Sequence, residues 1–246
     1  MKRLIPILCV TLSLAACSGP DSSGGVALSK DPHPTNADFP QGQCNDTHAF
    51  AQTNTGCGWV SADGGRYYIE PEANLNNANM FGAILYYGKL ANANLQFANL
   101  EGTNLWSANL TNANLFWARL DNADLRYADL TNAYLRFAGM PAARLDNADL
   151  TGANLDNVTF SWAVMTNANL TNTSLIFASL YGAGLTGANL TGADLRYANL
   201  TGAALYGANL TGADLWQANL TNVRANSLTI CPNGKRWRTA GDNCGF

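Results

Sequence analysis

The sequence predicts an all-β solenoid, a chain that turns a corner after each short unit and stacks its windings into a rod. Three observations predict it. A unit of five residues runs from Ala73 to Ala225 without an insertion or a deletion. The fifth residue of the unit, which we call the centre, is Leu at 26 of 31 positions. The residue two places earlier is Ala at 26 of the same 31 positions, and Asn or Asp dominates between them.

A period of five residues does not fit an ordinary helix or a flat strand. On an α-helix, five residues advance by roughly 140°, so the leucines would wind around the cylinder. On a strand, an odd step would place successive leucines on opposite faces. A chain that bends after every unit keeps all centres inside, and the exceptions fit such a core: Met80, Met140, Phe160, Met165 and Ala225 at the centre, and only Gly, Thr or Val in the alanine column.

The segment 1–16 has the features of an export signal. Lys2 and Arg3 precede an apolar run that ends at Ala16, and this run is too short to span a bilayer. Leu14-Ala15-Ala16-Cys17 resembles a bacterial lipobox, which implies lipidation at Cys17, and Ser18 resembles an outer-membrane sorting signal. We therefore expect a protein lipid-anchored to the cell envelope, in the outer membrane of a Gram-negative bacterium. Ordinary cleavage nearby, with release of a soluble protein, is the alternative.

The segments on either side of the repeats read as a tether and two caps. Residues 17–43 are rich in Ser, Gly, Pro and Asp, which is typical of a flexible tether. Residues 44–72 include a hairpin pattern around Asp63-Gly64-Gly65, and residues 226–246 follow the repeats. Among three connectivities, the pairs Cys44–Cys57 and Cys231–Cys244 are the most economical. A metal site at Cys44, His48 and Cys57 is disfavoured in an exported chain, so we predict no metal and no cofactor.

The repeated unit A-(D/N)-L-x-x, as in Ala93-Asn94-Leu95 and Ala123-Asp124-Leu125, resembles the motif of the pentapeptide-repeat family. The resemblance covers residues 73–225. It implies a right-handed quadrilateral β-helix with four units per coil, hence about 7.6 coils and a rod ~36 Å long. With both ends capped, we expect a monomer. Some family members mimic DNA and bind gyrase, using a broadly acidic rod in the cytoplasm. Here residues 73–223 carry nine acidic and six basic residues and the signal exports the chain, so a gyrase-binding DNA mimic is a remote alternative.

In that fold the two residues after each centre face solvent, and residues four units apart stack in columns. At one corner threonine is followed by Asn or Gly, and a second corner looks similar, with Gly82, Gly102, Asn122, Gly182 and Gly202. Asn and Gly suit the positive φ of a type II turn. A third column is aromatic, and since rings disfavour positive φ we expect another turn type there. The candidate interaction surface consists of Phe97, Trp117, Phe137, Phe177, Tyr197, Arg136 and Arg196 along this column, with Trp106, Arg126 and Tyr127 on the opposite face.

These features predict a protein that binds rather than catalyses. The chain has two histidines, His33 and His48, and a smooth solenoid offers no cleft of converging titratable groups. Exposed rings interleaved with Arg are typical of interfaces, so we expect a surface for an unidentified envelope protein or glycan. The alternative is a purely structural spacer in which the rings only pack coil on coil. The formal charge of −3 opposes nucleic acid as a partner, and a single threonine column argues against an ice-binding surface.

Overall fold

A computed structural model describes residues 57–62, 65–237 and 244. It begins with an antiparallel hairpin, β1 (Gly58–Ala62) and β2 (Gly65–Ile69), in which Gly58 pairs with Ile69 and Ala62 with Gly65. The predicted signal peptide, the predicted lipidation site Cys17, the predicted tether and Cys44 lie outside the described residues. In the described part of the chain, no helix has the length and hydropathy needed to cross a bilayer.

The rest of the chain winds as a four-sided coil, and each coil comprises four of the five-residue units. Parallel bridges join equivalent residues of successive coils along the whole rod, from Asn74 with Asn94 to Ala204 with Arg224. In each unit the centre N–H and the N–H two residues later donate to the following coil, as Leu75 does to Asn94 at 2.7 Å and Asn77 to Gln96 at 2.9 Å. The predicted right-handed quadrilateral β-helix is confirmed.

Four β-turns per coil make the corners. In each, the N–H three residues after a centre donates to that centre's carbonyl, as Ala78 does to Leu75 at 3.0 Å. The third residue of the turn has positive φ, for example 58° at Asn77 and 62° at Gly82. Among the common hydrogen-bonded turns, type II is the one in which φ is positive at the third residue and negative at the second. The corners therefore share one backbone geometry.

The centre and alanine columns form one continuous core along the axis. The centres from Leu85 to Leu200 are fully buried. Two exceptions in the alanine column bury a hydroxyl, and each is satisfied: Thr103 Oγ1 donates to the Met80 carbonyl at 2.9 Å and Thr173 Oγ1 to the Leu170 carbonyl at 2.8 Å. Paired in this way, a buried hydroxyl avoids the cost of an unsatisfied polar group.

The hairpin covers the first coil. Val60, Tyr67 and Ile69 are buried in the same cluster as the centres, and the backbone N–H of Asn79 donates to Tyr67 Oη at 3.0 Å. Cys57, at the start of the described chain, is buried and disulfide-bonded. Covering the end of a stack of strands in this way removes an edge that could pair with another chain.

At the other end the winding continues past Ala225 with a single inserted residue. Asn209 bridges Ile230, one residue further along the chain than the regular spacing between coils. The Asn226 side chain compensates for the irregularity, because its Oδ1 accepts the Gly207 N–H at 3.1 Å. Cys231 then lies buried at the end of the axis and forms a disulfide with Cys244.

Candidate functional site

We name two corners of the rod by their residues. The aromatic edge is the corner after the centres 75, 95, 115 and so on: Phe97, Phe116, Trp117, Arg136, Phe137, Asp156, Asn157, Ile176, Phe177, Arg196, Tyr197 and Trp216. The threonine edge is the corner after the centres 110, 130, 150 and so on, where Thr111, Thr131, Thr151, Thr171, Thr191 and Thr211 are each followed by Asn or Gly. The two edges are adjacent corners of the same coils.

The expectation of a different turn along the aromatic edge is wrong. Phe97, Trp117, Phe137, Phe177 and Tyr197 have φ between 57° and 62°, like Asn at the other corners. Left-handed φ costs a residue with a Cβ roughly 1–2 kcal/mol. The bonds to neighbouring coils fix the backbone at all four corners, and ring stacking worth about 0.5–1.5 kcal/mol per pair offsets much of that cost.

The first half of the aromatic edge is one connected cluster of rings. Trp117 and Phe137 stack with centroids 5.1 Å apart and planes 13° apart. Phe116 contacts both of them and also Phe97, and it stacks on Tyr134 at 5.9 Å. Trp117 is 51% exposed, so the cluster packs internally and still presents apolar surface. The sequence reasoning omitted Tyr134, which lies in the Asn/Asp column rather than after a centre.

A second cluster of rings lies further along the same edge, beyond one coil that has no ring in this column. Phe177 and Tyr197 stack at 4.7 Å and 12°, and Trp216 meets Tyr197 edge-on at 4.9 Å. Asn157 stands in the same column between Phe137 and Phe177. Its neighbour Asp156 is engaged with the next coil, accepting from Ser174 Oγ at 2.5 Å and from the Ile176 N–H at 3.2 Å. The aromatic edge therefore consists of two apolar segments separated by one polar coil.

The three arginines of the predicted surface are not equivalent. Arg126 Nε donates to Asp124 at 2.7 Å, and Arg196 Nε donates to Asp194 at 2.8 Å. These hydrogen bonds are the main reason why the pKa of each aspartate is lowered and that of each arginine is raised.

Arg136 instead lies over the Phe137 ring, with its guanidinium carbon 4.8 Å from the centroid, as in a cation–π contact. Among the residues that the structure describes, Arg136 has no acidic group within 4 Å. It is therefore the arginine of this surface that is available to an external anion or carbonyl.

The opposite corner carries a smaller group of rings. Tyr87 meets Trp106 edge-on at 4.9 Å, and Trp106 meets Tyr127 at 6.0 Å. Tyr127 is exposed and Trp106 partly buried. Since the aromatic edge and this corner are diagonally opposite, the structure does not bring all ten predicted residues together.

The threonine edge uses its polar groups internally. Thr171 Oγ1 donates to Asn169 Oδ1 at 2.6 Å and accepts from Asn189 Nδ2 at 2.8 Å. The same pattern repeats one coil later, where Thr191 Oγ1 donates to Asn189 at 2.6 Å and accepts from Asn209 at 3.0 Å. From Thr151 to Asn209 these side chains therefore form a continuous ladder of hydrogen bonds within the rod.

One exposed cluster was missed by the sequence reasoning. Trp162 meets Tyr181 edge-on at 5.3 Å and lies over Gly182, where an added Cβ would come within 2.6 Å of the indole. The signal was available, because Trp162 and Gly182 occupy the same column in consecutive coils. Comparing residues 20 positions apart in the sequence would have found this pair of a large ring and a glycine.

A known protein family matches the repeats of this chain. The family described as Pentapeptide repeats matches in eight copies over residues 89–126, 113–157, 153–192 and 188–224. No curated protein sequence matches the chain. Among solved structures, the chain is similar to HetL, a pentapeptide repeat protein involved in heterocyst differentiation regulation from the cyanobacterium Nostoc sp. strain PCC 7120, with 31% identity over 68% of this chain and 81% of that chain and a TM-score of 0.37.

Two further solved structures are also similar to parts of the chain. Rfr23 from the cyanobacterium Cyanothece 51142 is 38% identical over 37% of this chain and 63% of that one, with a TM-score of 0.37. QnrB1, a plasmid-mediated fluoroquinolone resistance protein, is 20% identical over 63% of this chain and 88% of that one, with a TM-score of 0.34. Because the family match runs from residue 89 to residue 224, more than half of the 246 residues, this chain belongs to the pentapeptide-repeat family.

Proposed function

We propose that this chain is a non-enzymatic lipoprotein of the cell envelope whose rod presents the aromatic edge to another envelope component, a protein or a glycan. Membership of the family gives the fold, whereas function depends on the side chains placed on it. The observation that carries the proposal is the combination of two exposed ring clusters with Arg136, the arginine of this surface without an acidic partner among the described residues.

The exposure of the rings supports binding over packing alone. Trp117 is 51% and Phe177 57% exposed although both stack on a neighbouring ring. Apolar surface of this extent on a rod is typical of an interaction site. Rings that stack on one another are also held in place before a partner arrives, which lowers the entropy lost on binding.

The anchor is part of the proposal and rests on the sequence. Basic residues, a short apolar run and Leu14-Ala15-Ala16-Cys17 support export and acylation at Cys17. Intact-mass analysis of the membrane fraction should show a chain that begins at Cys17 and carries acyl groups. A mass matching an unacylated chain would contradict this part of the proposal.

The binding role is tested by replacing four rings with Asn, a residue that already occurs in the same column. Asn77 and Asn157 occupy this column, so Phe97→Asn, Trp117→Asn, Phe137→Asn and Phe177→Asn together should keep the coil. We expect crosslinked co-purification from envelopes to lose its main partner. The matched control is Tyr87→Asn with Tyr127→Asn on the opposite corner, which should retain that partner.

The second candidate is a structural spacer, and the ring stacking between coils favours it. On that hypothesis the same four substitutions leave co-purification unchanged while the rod stays folded. Circular dichroism of the purified variant separates this result from simple unfolding.

A further inference from the structure

The first complete coil carries an apolar patch on a different part of the rod. Phe81 is 54% exposed, Ile84 51% and Tyr87 44%. They follow one another around one side of this coil, and we call them the first-coil patch. Lys89 is exposed beside it.

Later coils show that this side of the rod does not require apolar residues. In the column of Phe81 the next two coils have Glu101 and Asp121, and in the column of Ile84 they have Asn104 and Asp124. Exposed apolar residues on this side are therefore a feature of particular coils, here the first, and not of the turn or the ladder. Polar residues thus follow Phe81 and Ile84, whereas at the corner of Tyr87 the rings continue into Trp106.

That end is the one nearest to Cys17. About 40 residues separate Cys17 from the hairpin. The sequence predicts a tether there, for which a root-mean-square span of roughly 35 Å is expected. A chain held at this distance from a surface meets it at a high effective concentration, so a weak contact suffices to orient the rod.

We propose that the first-coil patch docks on the surface of the lipid bilayer to which the chain is anchored. Phe and Ile supply apolar area, and Tyr adds a ring with a polar tip, a side chain that concentrates at the membrane–water boundary. The rod then stands with its N-terminal coil in the headgroup region and its aromatic edge free for a partner. This inference rests on the lipid anchor of the proposed function.

The test uses the chain from Ser18 onward, which carries neither the apolar leader nor an acyl chain. The vesicles contain phosphatidylethanolamine with phosphatidylglycerol at millimolar lipid, which replaces the effective concentration that the anchor would supply. The patch variant combines Phe81→Thr, Ile84→Asn and Tyr87→Asn, because Thr201, Asn104 and Asn147 occur in the same columns. We expect the fraction that floats with vesicles to fall about fivefold, since the interfacial side chains are gone.

The matched control removes a similar apolar group four coils away. It combines Tyr181→Thr, Val164→Asn and Trp162→Asn, again residues present in the same columns as Thr201, Asn104 and Asn122. We expect this variant to float like the parent chain. Equal flotation of the patch variant and its parent, or an equal loss in the control, would overturn the proposal.

Two other possible occupants of the first-coil patch predict different results in this experiment. If the residues before Cys57 cover it, the patch variant loses thermal stability without vesicles and its flotation is unchanged. If a second copy covers it, light scattering shows a dimer that the patch variant abolishes. Either result overturns docking on lipid, while acylation of Cys17 and partner capture by the aromatic edge are measured separately and could still hold.

Discussion

The aromatic edge and the threonine edge are adjacent corners of the same coils, built on the same turn. At the threonine edge five of the six threonine hydroxyls donate to the Asn or Asp two residues earlier, and amides of the next coil donate back, as Asn189 does to Thr171 at 2.8 Å. At the aromatic edge the rings stack along the rod but leave about half of Trp117 and Phe177 in solvent. The difference shows that the same turn can carry side chains that bond within the rod at one corner and side chains that leave apolar surface exposed at the next.

The largest effect is expected from a change in the axis that both edges share. Leu150 is fully buried, so Leu150→Asp places a carboxylate among leucines without a partner, at a cost of about 4 kcal/mol or more. We expect cooperative unfolding to be lost or strongly shifted in thermal denaturation followed by circular dichroism. Leu150→Met is the control, because Met occupies centres at Met140 and Met165, and it should cost less than about 1.5 kcal/mol.

A smaller effect is expected at the threonine edge. Asn189 Oδ1 accepts from the Thr191 N–H and hydroxyl, at 3.2 and 2.6 Å, and its Nδ2 donates to Thr171. Removing these bonds in Asn189→Ala should lower the free energy of unfolding by about 1–2 kcal/mol. Asn154, which accepts only the Asp156 N–H among the bonds described, provides the control, and Asn154→Ala should cost less. Equal losses in chemical denaturation would show that the ladder adds nothing.

The stabilities of variants at the two edges have to be compared at one pH, because Glu70 at the N-terminal end of the axis titrates. Glu70 stands at a centre position, one coil before Leu90, and burial followed by repulsion from Glu72 raises its pKa from 4.5 to about 7. A raised pKa means that the folded state holds the proton more tightly than the unfolded chain. The contribution of Glu70 to stability is therefore fully present below about pH 4.5 and is lost as the pH rises through about 7.

Glu70→Gln removes this dependence. We expect the thermal midpoint of the parent chain to decrease between pH 5 and pH 8 by more than that of the variant, so that the variant is the more stable at pH 8. Parallel curves for the two proteins would contradict the assignment of this titration to Glu70.

The repeat predicted the fold because each unit repeats one simple constraint. Leu and Ala at fixed places in the unit require every unit to turn inward, and the columns of surface residues follow from four units per coil. The left-handed φ of Trp117 and Phe137 could not be predicted in the same way. The preference of an isolated aromatic residue is weaker than the hydrogen bonds that join each coil to the next.

The pairing of surface charges was also beyond the sequence pattern. Arg126 pairs with Asp124 and Arg196 with Asp194, in each case two positions apart in the sequence. That such side chains meet can be predicted only once the position of the corner is known. Thr191 with Asn189 follows the same rule. Within the repeat, the residue before a centre and the residue after it are neighbours, and this rule separates Arg136, which has Tyr134 at that place, from the paired arginines.

The smallest effect tests whether ring stacking compensates for the backbone at the aromatic edge. Asn157 lies between Phe137 and Phe177, which are two coils or roughly 9.6 Å apart along the rod, room for one more ring. In Asn157→Phe, stacking on both sides at about 0.5–1.5 kcal/mol each should exceed the roughly 1–2 kcal/mol cost of left-handed φ, so stability should rise by about 0.5 kcal/mol. Asn172→Phe on the threonine edge meets Gly152 and Gly192 instead of rings and should be destabilised. If both variants lose the same stability, ring stacking does not offset the cost of left-handed φ at this corner. Packing would then not explain the exposed rings, and binding would be the explanation that is left.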